Sequence, residues 1–472
     1  MTDAWAALAH WARTRANDVA VEGAFGRWTW QALWEATKDL ASVLDQAGIG
    51  SGCRVSMEGL NAPAWLVAIT AVAARKAVLV PVNSRWSALE QETWRIRAGV
   101  SGRLMVPADE DSLMPEWHPA EMRRDAWAKE LATLMATSGS TGTPQGIGLT
   151  AGAHAAHARA HAEVLRMGPE DRVLVVLPLF HIGGLNAWWR ALASGHSLVL
   201  LPRFTVAAVA DALERHAPTM ASLTGTMVRD LVGGGVRPAP SLRVVLAGGE
   251  PLPTGIMRHW PVVRASYGMT ETCGHVAIGR AGADDAEVPG GELKVQPGTR
   301  LDLVDEEHRP VHPGEEGRIR VQGPTVCAGR LDERGSWIPH PQDVPLLTGD
   351  RGRLGASGGL VVRPRPGDLI LSGGENVSPA EIEAVLEQVP GIAAALVAPV
   401  PDARWGQRPA ALVVAKPGCS EDQLRAALDE ALQNRLGGYK RPAFVRFVAA
   451  LPVLESGKRD RRGASRMLME EC

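Results

Sequence analysis

From about residue 18 to about residue 265, short apolar β-branched runs alternate with Ala- and Leu-rich helical patterns. "AVLVPV", "RVLVVLPL", "SLVLLP", "APTMASLTG" and "LRVVLAGG" each end in turn residues. Strands that are apolar along their whole length need cover on both faces, and intervening helices supply it by crossover. The alternation therefore predicts α/β layers with a mainly parallel sheet. From about 290 to 365 the texture changes to "RLDLVD", "GRIRVQG" and "GLVVRP", separated by Gly, Pro and Asp, which predicts antiparallel or barrel-like structure. "RPRPGD" (363–368) reads as a linker. A compact α+β unit follows it: "SPAEIEAVLEQV", "AALVAPV", "AALVVAK", a helix at about 420–435 and a short basic tail.

One helix start is legible in detail. In "SPAE", Ser378 suits the cap, Pro379 the first helical position, and Glu381 a capping box. Ile382, Val385, Leu386 and Val389 then share one face. The preceding "SGGEN" loop is thus held at a helix entrance, where its glycines serve either a close approach to a ligand or a tight turn.

Charge narrows the function classes. In 472 residues, 50 Lys and Arg nearly cancel 52 Asp and Glu, with no long block of one sign, which argues against a nucleic-acid or membrane-surface partner. The start "MTDAWAALAHWARTR" has no basic stretch followed by an apolar core, so no secretion signal is expected. The most apolar region, "AWLVAITAVAARKAVLVPV", is broken by Arg75 and Lys76 and is too short to span a bilayer. Five scattered cysteines with no CxxC pair read as reduced thiols. The expectation is a soluble, cytoplasmic, enzyme-sized protein.

Five strings carry candidate chemistry. "TSGSTGTPQG" offers the hydroxyls of Thr137, Ser138, Ser140, Thr141 and Thr143, with Gly139 and Gly142 able to turn backbone N–H groups toward an anion. It is not a Walker loop, because no GxxxxGK[ST] fits it, and a surface turn is the equal alternative. "SYGMTETCG" (266–274) puts an aromatic face, a hydroxyl and a carboxylate together in Tyr267, Thr270 and Glu271; a strand-end turn is the plainer meaning. "TGDRG" (348–352) presents Asp350 between glycines, suited to two ribose hydroxyls or to an ordinary Asp turn. "LPLFHIGG" (177–184) ends a strand at His181, and "ESGKRDRR" (455–462) is a basic cluster on the tail.

Their order and spacing resemble the acyl-adenylate-forming superfamily of acyl- and aryl-CoA ligases, luciferases and peptide-synthetase adenylation domains, over almost the whole chain. "TSGSTGTPQG" is similar to its phosphate loop, "YGMTE" to its adenine and Mg²⁺ motif, and "TGD" to its ribose-binding aspartate. "RPRPGDLILSGGENVSPAEIE" resembles the arginine, hinge and CoA-binding stretch, and "SGK" the C-terminal lysine motif. "LPLFHIGGLNAWWR", "SYGMTETC", "GDLILSGGENVSPAEIEAVL" and "WGQRPAA" look most like the o-succinylbenzoate–CoA ligase branch of menaquinone biosynthesis.

The resemblance implies a large N-terminal domain (1–366) of α/β layered subdomains plus a distorted β-barrel, binding AMP and the acyl group. A small mobile α+β domain (367–472) would act as a lid carrying the catalytic lysine and rotate between two half-reactions. It implies ATP, Mg²⁺ and CoA as cofactor and co-substrates, and a small carboxylic acid as the partner. A homo-oligomer is left open. The implied reaction activates the acid as acyl-AMP and passes it to CoA, with 2-succinylbenzoate as the acid. Another aryl- or short acyl-CoA ligase, or a non-catalytic AMP- or acyl-binding homologue, is the alternative.

By the same resemblance, Lys458 bridges the acid carboxylate and the α-phosphate, Thr270 holds an α-phosphate oxygen, and Glu271 holds the metal. Thr137, Ser138, Gly139, Ser140, Thr141 and Gly142 cradle the phosphates, while Gly248, Gly249, Glu250, Tyr267 and Gly268 line the adenine pocket. Asp350 and Arg365 take the ribose, Gly373 and Gly374 the CoA tunnel, and His181 the acyl-pocket and thiol entrance. Arg190, after the bulky pair Trp188 and Trp189, is assigned to the acid's second carboxylate, against the plainer alternative of a solvated helix arginine. Gln145 stands where the phosphate loop usually has lysine, Pro364 and Gly367 depart from the usual hinge stretch, and Leu293 replaces a usual glycine.

Overall fold

The computed structural model describes residues 3–107, 112–137, 144–248, 256–280, 291–312, 314–363, 369–452 and 459–470. The chain divides into two compact units. One comprises Met1–Asn83, Arg95–Ala136 and Gly146–Pro364; the other comprises Ser84–Trp94, Thr137–Gln145 and Arg365–Cys472. The elements that matter below are strands β1 (Leu131–Thr137), β2 (Val244–Gly248), β3 (Val263–Met269), β4 (Gly274–Ile278) and β5 (Leu346–Leu354), and helices α1 (Ala151–Leu165), α2 (Ile182–Ser194) and α3 (Pro379–Glu387).

All five apolar runs singled out in the sequence contain strands. The nine-stranded sheet runs from Lys294–Val295 through β4, β3, β2, Met220–Thr224, Arg172–Val175, Ser197–Leu200 and Val19–Gly23 to Gly26–Thr29. Its centre is parallel, and antiparallel pairs occur toward its ends. The two-residue period of a strand explains its apolar runs. Val173, Val175, Leu198 and Leu200 face one core, while Leu174, Val176, Val199 and Leu201 face another, against helices Val206–His216 and Gly225–Gly233.

The first of those cores also takes Val55, Met57, Leu79, Ala132, Ile147 and Leu149 from an eight-stranded sheet that includes β1. Helices α1 and α2, Trp30–Gln46 and Pro63–Ala74 are therefore shared by both sheets. Pro63–Ala74 is the apolar stretch too short for a membrane; it is buried from Pro63 through Val72, as an all-round apolar helix must be. No helix among the described residues is long and apolar enough to cross a membrane.

The antiparallel texture expected for 290–365 is a four-stranded antiparallel sheet, Arg300–Val304, Glu316–Gln322, β5 and Leu360–Arg363. Leu293 bridges its Leu360 through reciprocal 2.8 Å backbone hydrogen bonds and is buried in one core with Tyr267.

In the second unit, Ile392–Asp402 and Gly406–Ala415 form a long antiparallel hairpin. The α3 residues Ile382, Val385 and Leu386, and Val389 just beyond, pack with Leu424, Leu428 and Leu432 of helix Glu421–Arg435, the face read from the sequence. The expected capping box is absent: Ser378 is the N-cap residue but makes no side-chain cap bond. Glu381 instead accepts a 2.6 Å hydrogen bond from Lys440 Nζ. Lys440 Nζ also donates to Glu90 at 2.7 Å, so without the ammonium Glu381 would be a desolvated carboxylate beside a second one, a far greater cost than a missing cap.

Candidate active site

The "YGMTE" and "TGD" strings, far apart in sequence, meet in the first unit. Tyr267 on β3 donates from Oη to Asp350 Oδ2 at 2.9 Å. Asp350 N in turn donates to Thr348 Oγ1 at 3.2 Å, and Thr348 Oγ1 donates to Ile319 O at 2.9 Å. Tyr267 is buried and Asp350 half-buried, so the buried phenol orients a carboxylate near the surface.

The β3–β4 hairpin sets the position of Thr270 and Glu271 on a turn of 3₁₀ helix, Thr270–Thr272. Thr272 Oγ1 accepts from Met269 N at 3.0 Å and donates to Gly274 O at 2.8 Å, closing the turn. Cys273 follows in the left-handed region with φ 55°. Gly268 admits no side chain, because a Cβ there would lie 2.1 Å from Gly274 O. Glu271 O accepts from Cys327 N at 2.8 Å, which ties the turn to a second segment. Burial, then the neighbouring Glu271 charge, pushes the Cys327 thiol up to about 11.

Gly248 ends β2 beside β3, where a Cβ would come within 2.5 Å of Ser266 Oγ. This places the start of "AGGEPLP" next to "SYGMTE". Thr137 ends β1 and Gln145 begins the strand Gln145–Thr150. Ser138, Gly139, Ser140, Thr141, Gly142, Gly249, Glu250, Arg365 and Lys458 lie outside the described residues. In the second unit Gly373 and Gly374 form a turn with φ 59° and 83°. Gly373 N donates to Trp405 O at 3.0 Å, and a Cβ on Gly373 would sit 2.5 Å from the Trp405 ring.

A Mg²⁺ ion fits this donor set through Glu271. Mg²⁺ takes one or two carboxylates and completes its shell with phosphate oxygens and water. Consistently, no group of three or more His, Cys, Asp or Glu among the described residues is arranged to hold a metal alone.

His181 occupies the N-cap position of α2, half-buried, with Phe180 4.7 Å away between ring centroids. Arg190, further along α2, is only 4 % exposed, so the solvated alternative falls. No described carboxylate pairs with its guanidinium, and Nε is buried with no hydrogen-bond partner. Burial pushes its pKa down to about 10. Trp188, two residues before, donates Nε1 to Thr70 Oγ1 at 2.8 Å, while Trp189 stacks on His154 at 4.8 Å.

Around Arg190 lies a group of imidazoles that the sequence reading did not single out: the buried His154, His157 and His161 of α1 and His196, with the half-buried His275 of β4. Only the spacing of His154, His157 and His161, on one helical face, signals it beforehand. Burial, reinforced by the Arg190 charge, holds His161 and His275 well below the usual imidazole range. His275 pairs in register with Gly268, so the group abuts the "YGMTE" hairpin.

Comparison with known proteins gives the family. The AMP-binding enzyme family profile matches residues 8–101 and 97–330, and the AMP-binding enzyme C-terminal domain profile matches 381–458. A 2-succinylbenzoate–CoA ligase of Bacillus pumilus is 32% identical over 461 residues, 92% of each chain. An o-succinylbenzoate CoA synthetase double mutant from Bacillus subtilis, bound with a product analogue, superposes with TM-score 0.86 at 30% identity, covering 98% of this chain and 97% of that one. The Bacillus subtilis synthetase in complex with ATP and magnesium ion gives TM-score 0.67 at 30% identity, covering 97% and 98%. The chain belongs to the AMP-binding enzyme family.

Proposed function

We propose that the protein is an AMP-forming acid–CoA ligase that converts 2-succinylbenzoate, ATP and CoA to 2-succinylbenzoyl-CoA, AMP and pyrophosphate. The observation that carries the choice of acid is Arg190, a buried guanidinium without a carboxylate partner among the described residues. Such a charge is costly unless a ligand completes it. 2-Succinylbenzoate has a second carboxylate that takes no part in the reaction, and the relatives named for this acid span nearly the whole chain.

A carboxylate is a poor acyl donor because its leaving group would be oxide. In the first step its oxygen attacks the α-phosphorus of ATP, forming acyl-AMP and releasing pyrophosphate. In the second, CoA sulfur, having lost its proton, attacks the acyl carbonyl and AMP leaves with the bonding pair. No protein nucleophile is needed, so this chain's contribution is positioning and charge neutralisation. Lys458 neutralises the approaching carboxylate and α-phosphate together. Thr270 holds an α-phosphate oxygen, and Asp350, oriented by Tyr267, accepts the ribose hydroxyls, a role shared by Arg365. Glu271 would hold Mg²⁺, which would supply charge neutralisation of the phosphates. Thr137, Ser138, Gly139, Ser140, Thr141 and Gly142 grip the outer phosphates; Gly248, Gly249, Glu250 and Gly268 shape the adenine pocket. Gly373 and Gly374 approach CoA, and His181 screens the acyl and thiol entrance.

The test is thioester formation from a panel of acids with ATP and CoA, with Lys458→Ala as the control. Turnover of 2-succinylbenzoate well above benzoate and short acyl acids is the expected result. Preference for an acid with one carboxylate would replace this reading with another aryl- or acyl-CoA ligase. Background ATP–pyrophosphate exchange with every acid would favour a non-catalytic binder.

A further inference from the structure

The protons around Arg190 can be assigned in sequence. Cys273 O lies 2.7 Å from Asn186 Nδ2 and can only accept, so the amide nitrogen faces it. Asn186 Oδ1 therefore faces His154 Nδ1 at 2.7 Å, which puts the His154 proton on Nδ1. His154 Nε2 then accepts from Thr133 Oγ1 at 2.9 Å. The other hydrogen of Asn186 Nδ2 points toward His157 Nδ1 at 3.4 Å. His157 consequently accepts at Nδ1 and, as a neutral imidazole, carries its proton on Nε2.

That Nε2–H is buried and has no hydrogen-bond partner among the described residues, and the same holds for Arg190 Nε–H. The neighbouring rings close around it. His157 and His275 lie 4.6 Å apart between centroids, and His161 and His275 lie 5.2 Å apart. His161 Nδ1 and His275 Nε2 are 3.2 Å apart and share one proton between them, while His161 Nε2, like His157 Nε2, is buried with no partner among the described residues; of the two, only His157 Nε2 has its proton fixed by Asn186.

Three kinds of ligand compete for such a place. A metal cation would be repelled by the Arg190 charge, and no described group of three or more ligating side chains is arranged to hold one. Water would satisfy the N–H groups but leave the guanidinium without a counter-charge. A carboxylate answers both needs, since each of its oxygens accepts and the group neutralises the arginine.

We propose that His157 is a specificity-determining residue, whose Nε2–H joins the Arg190 guanidinium in holding the second carboxylate of a dianionic aryl acid, with His161 and His275 as the polar wall beside it. This rests on the reading of the protein as a 2-succinylbenzoate–CoA ligase and deepens it. The asparagine that orients His157 sits one helical turn before Arg190 on α2, so one helix supplies the charge and sets the proton.

The experiment compares 2-succinylbenzoate with 4-oxo-4-phenylbutanoate, which lacks the ring carboxylate, in the unsubstituted protein, His157→Leu and His157→Gln. His157→Leu should raise the KM for 2-succinylbenzoate about tenfold or more. It should leave kcat, the ATP KM and the KM for 4-oxo-4-phenylbutanoate nearly unchanged. His157→Gln, which restores an N–H donor, should recover most of the loss. Equal effects on both acids, or a glutamine variant as poor as the leucine one, would overturn the assignment. As a check that needs no variant to fold, imidazole N–H resonances of ¹⁵N-histidine-labelled protein are followed. One should move downfield with 2-succinylbenzoate and none with 4-oxo-4-phenylbutanoate; no such shift overturns the proposal. If the unsubstituted protein does not turn over 2-succinylbenzoate, the functional reading itself has failed. If it does, and only the His157 results are negative, the inference alone falls.

Discussion

Tyr267 Oη donates to Asp350 Oδ2 at 2.9 Å across 83 positions of sequence, joining the aromatic of one motif to the carboxylate of another. Removing the hydroxyl with Tyr267→Phe takes that donor away from Asp350 and loosens the hold on its carboxylate. The expected outcome is about a fivefold rise in ATP KM, equivalent to about 1 kcal/mol, with the acid KM unchanged. Steady-state kinetics in both substrates checks it, and an unchanged ATP KM would remove Tyr267 from the nucleotide site.

Gly268→Ala should damage the hairpin itself. Its Cβ would meet Gly274 O at 2.1 Å and His275 Cα at 2.4 Å, both backbone atoms that cannot rotate away. A destabilisation of about 2–4 kcal/mol is expected, read from the urea midpoint, together with loss of adenylation.

Arg190→Met should separate stability from function. A guanidinium pKa pushed down to about 10 by burial means that the charged form is disfavoured in the native state. The penalty is fully present below the folded value and fades as pH rises above it. At neutral pH it amounts to about 3 kcal/mol on the usual conversion. The methionine variant should therefore melt at the same temperature or higher without ligand, while its 2-succinylbenzoate KM rises and its ATP KM does not. A sharp fall in Tm would mean that Arg190 has a structural partner.

The buried imidazoles predict acid sensitivity. His154 is held down at about 4 and His196 at about 3, in both cases mainly by burial. Their depressed values make the unfolded chain bind protons first as pH falls below 6.5, so stability is full above that value and is lost toward the folded pKa. Each such imidazole contributes a slope of about 1.4 kcal/mol per pH unit in that window. Thermal melts from pH 8 to pH 4 should show Tm dropping steeply below about 6.5. A flat profile would mean that these histidines are already charged or solvated in the native state.

Gln145→Lys restores a cation at the end of the phosphate loop and should lower the ATP KM while leaving the acid KM unchanged. Titration with ATP checks it; unchanged ATP binding would mean that hydroxyls and backbone amides suffice there.

Local pattern was enough to place the main elements. Strands Arg172–Val175, Ser197–Leu200, Met220–Thr224 and β2 follow from apolar runs buried on both faces. The inward face of α3 follows from the spacing of Ile382, Val385 and Leu386. The ordered motifs named the chemistry, because phosphate, ribose and Mg²⁺ each demand particular donor types close together in sequence. What local pattern could not decide is which distant group a polar side chain meets. Glu381 has a capping box available nearby, yet it goes to Lys440, 59 positions later, because a buried charge outweighs a cap. Arg190 reads equally well as solvated or buried until α2 is seen packed inside the core. The spacing of His154, His157 and His161 is plain in the sequence, but His161 meets His275 across 114 positions, and that pairing exists only once β4 is folded beside α1. Periodicity reports which face turns inward; only the tertiary fold decides what waits there, since burial and counter-charge come from residues the local sequence does not contain.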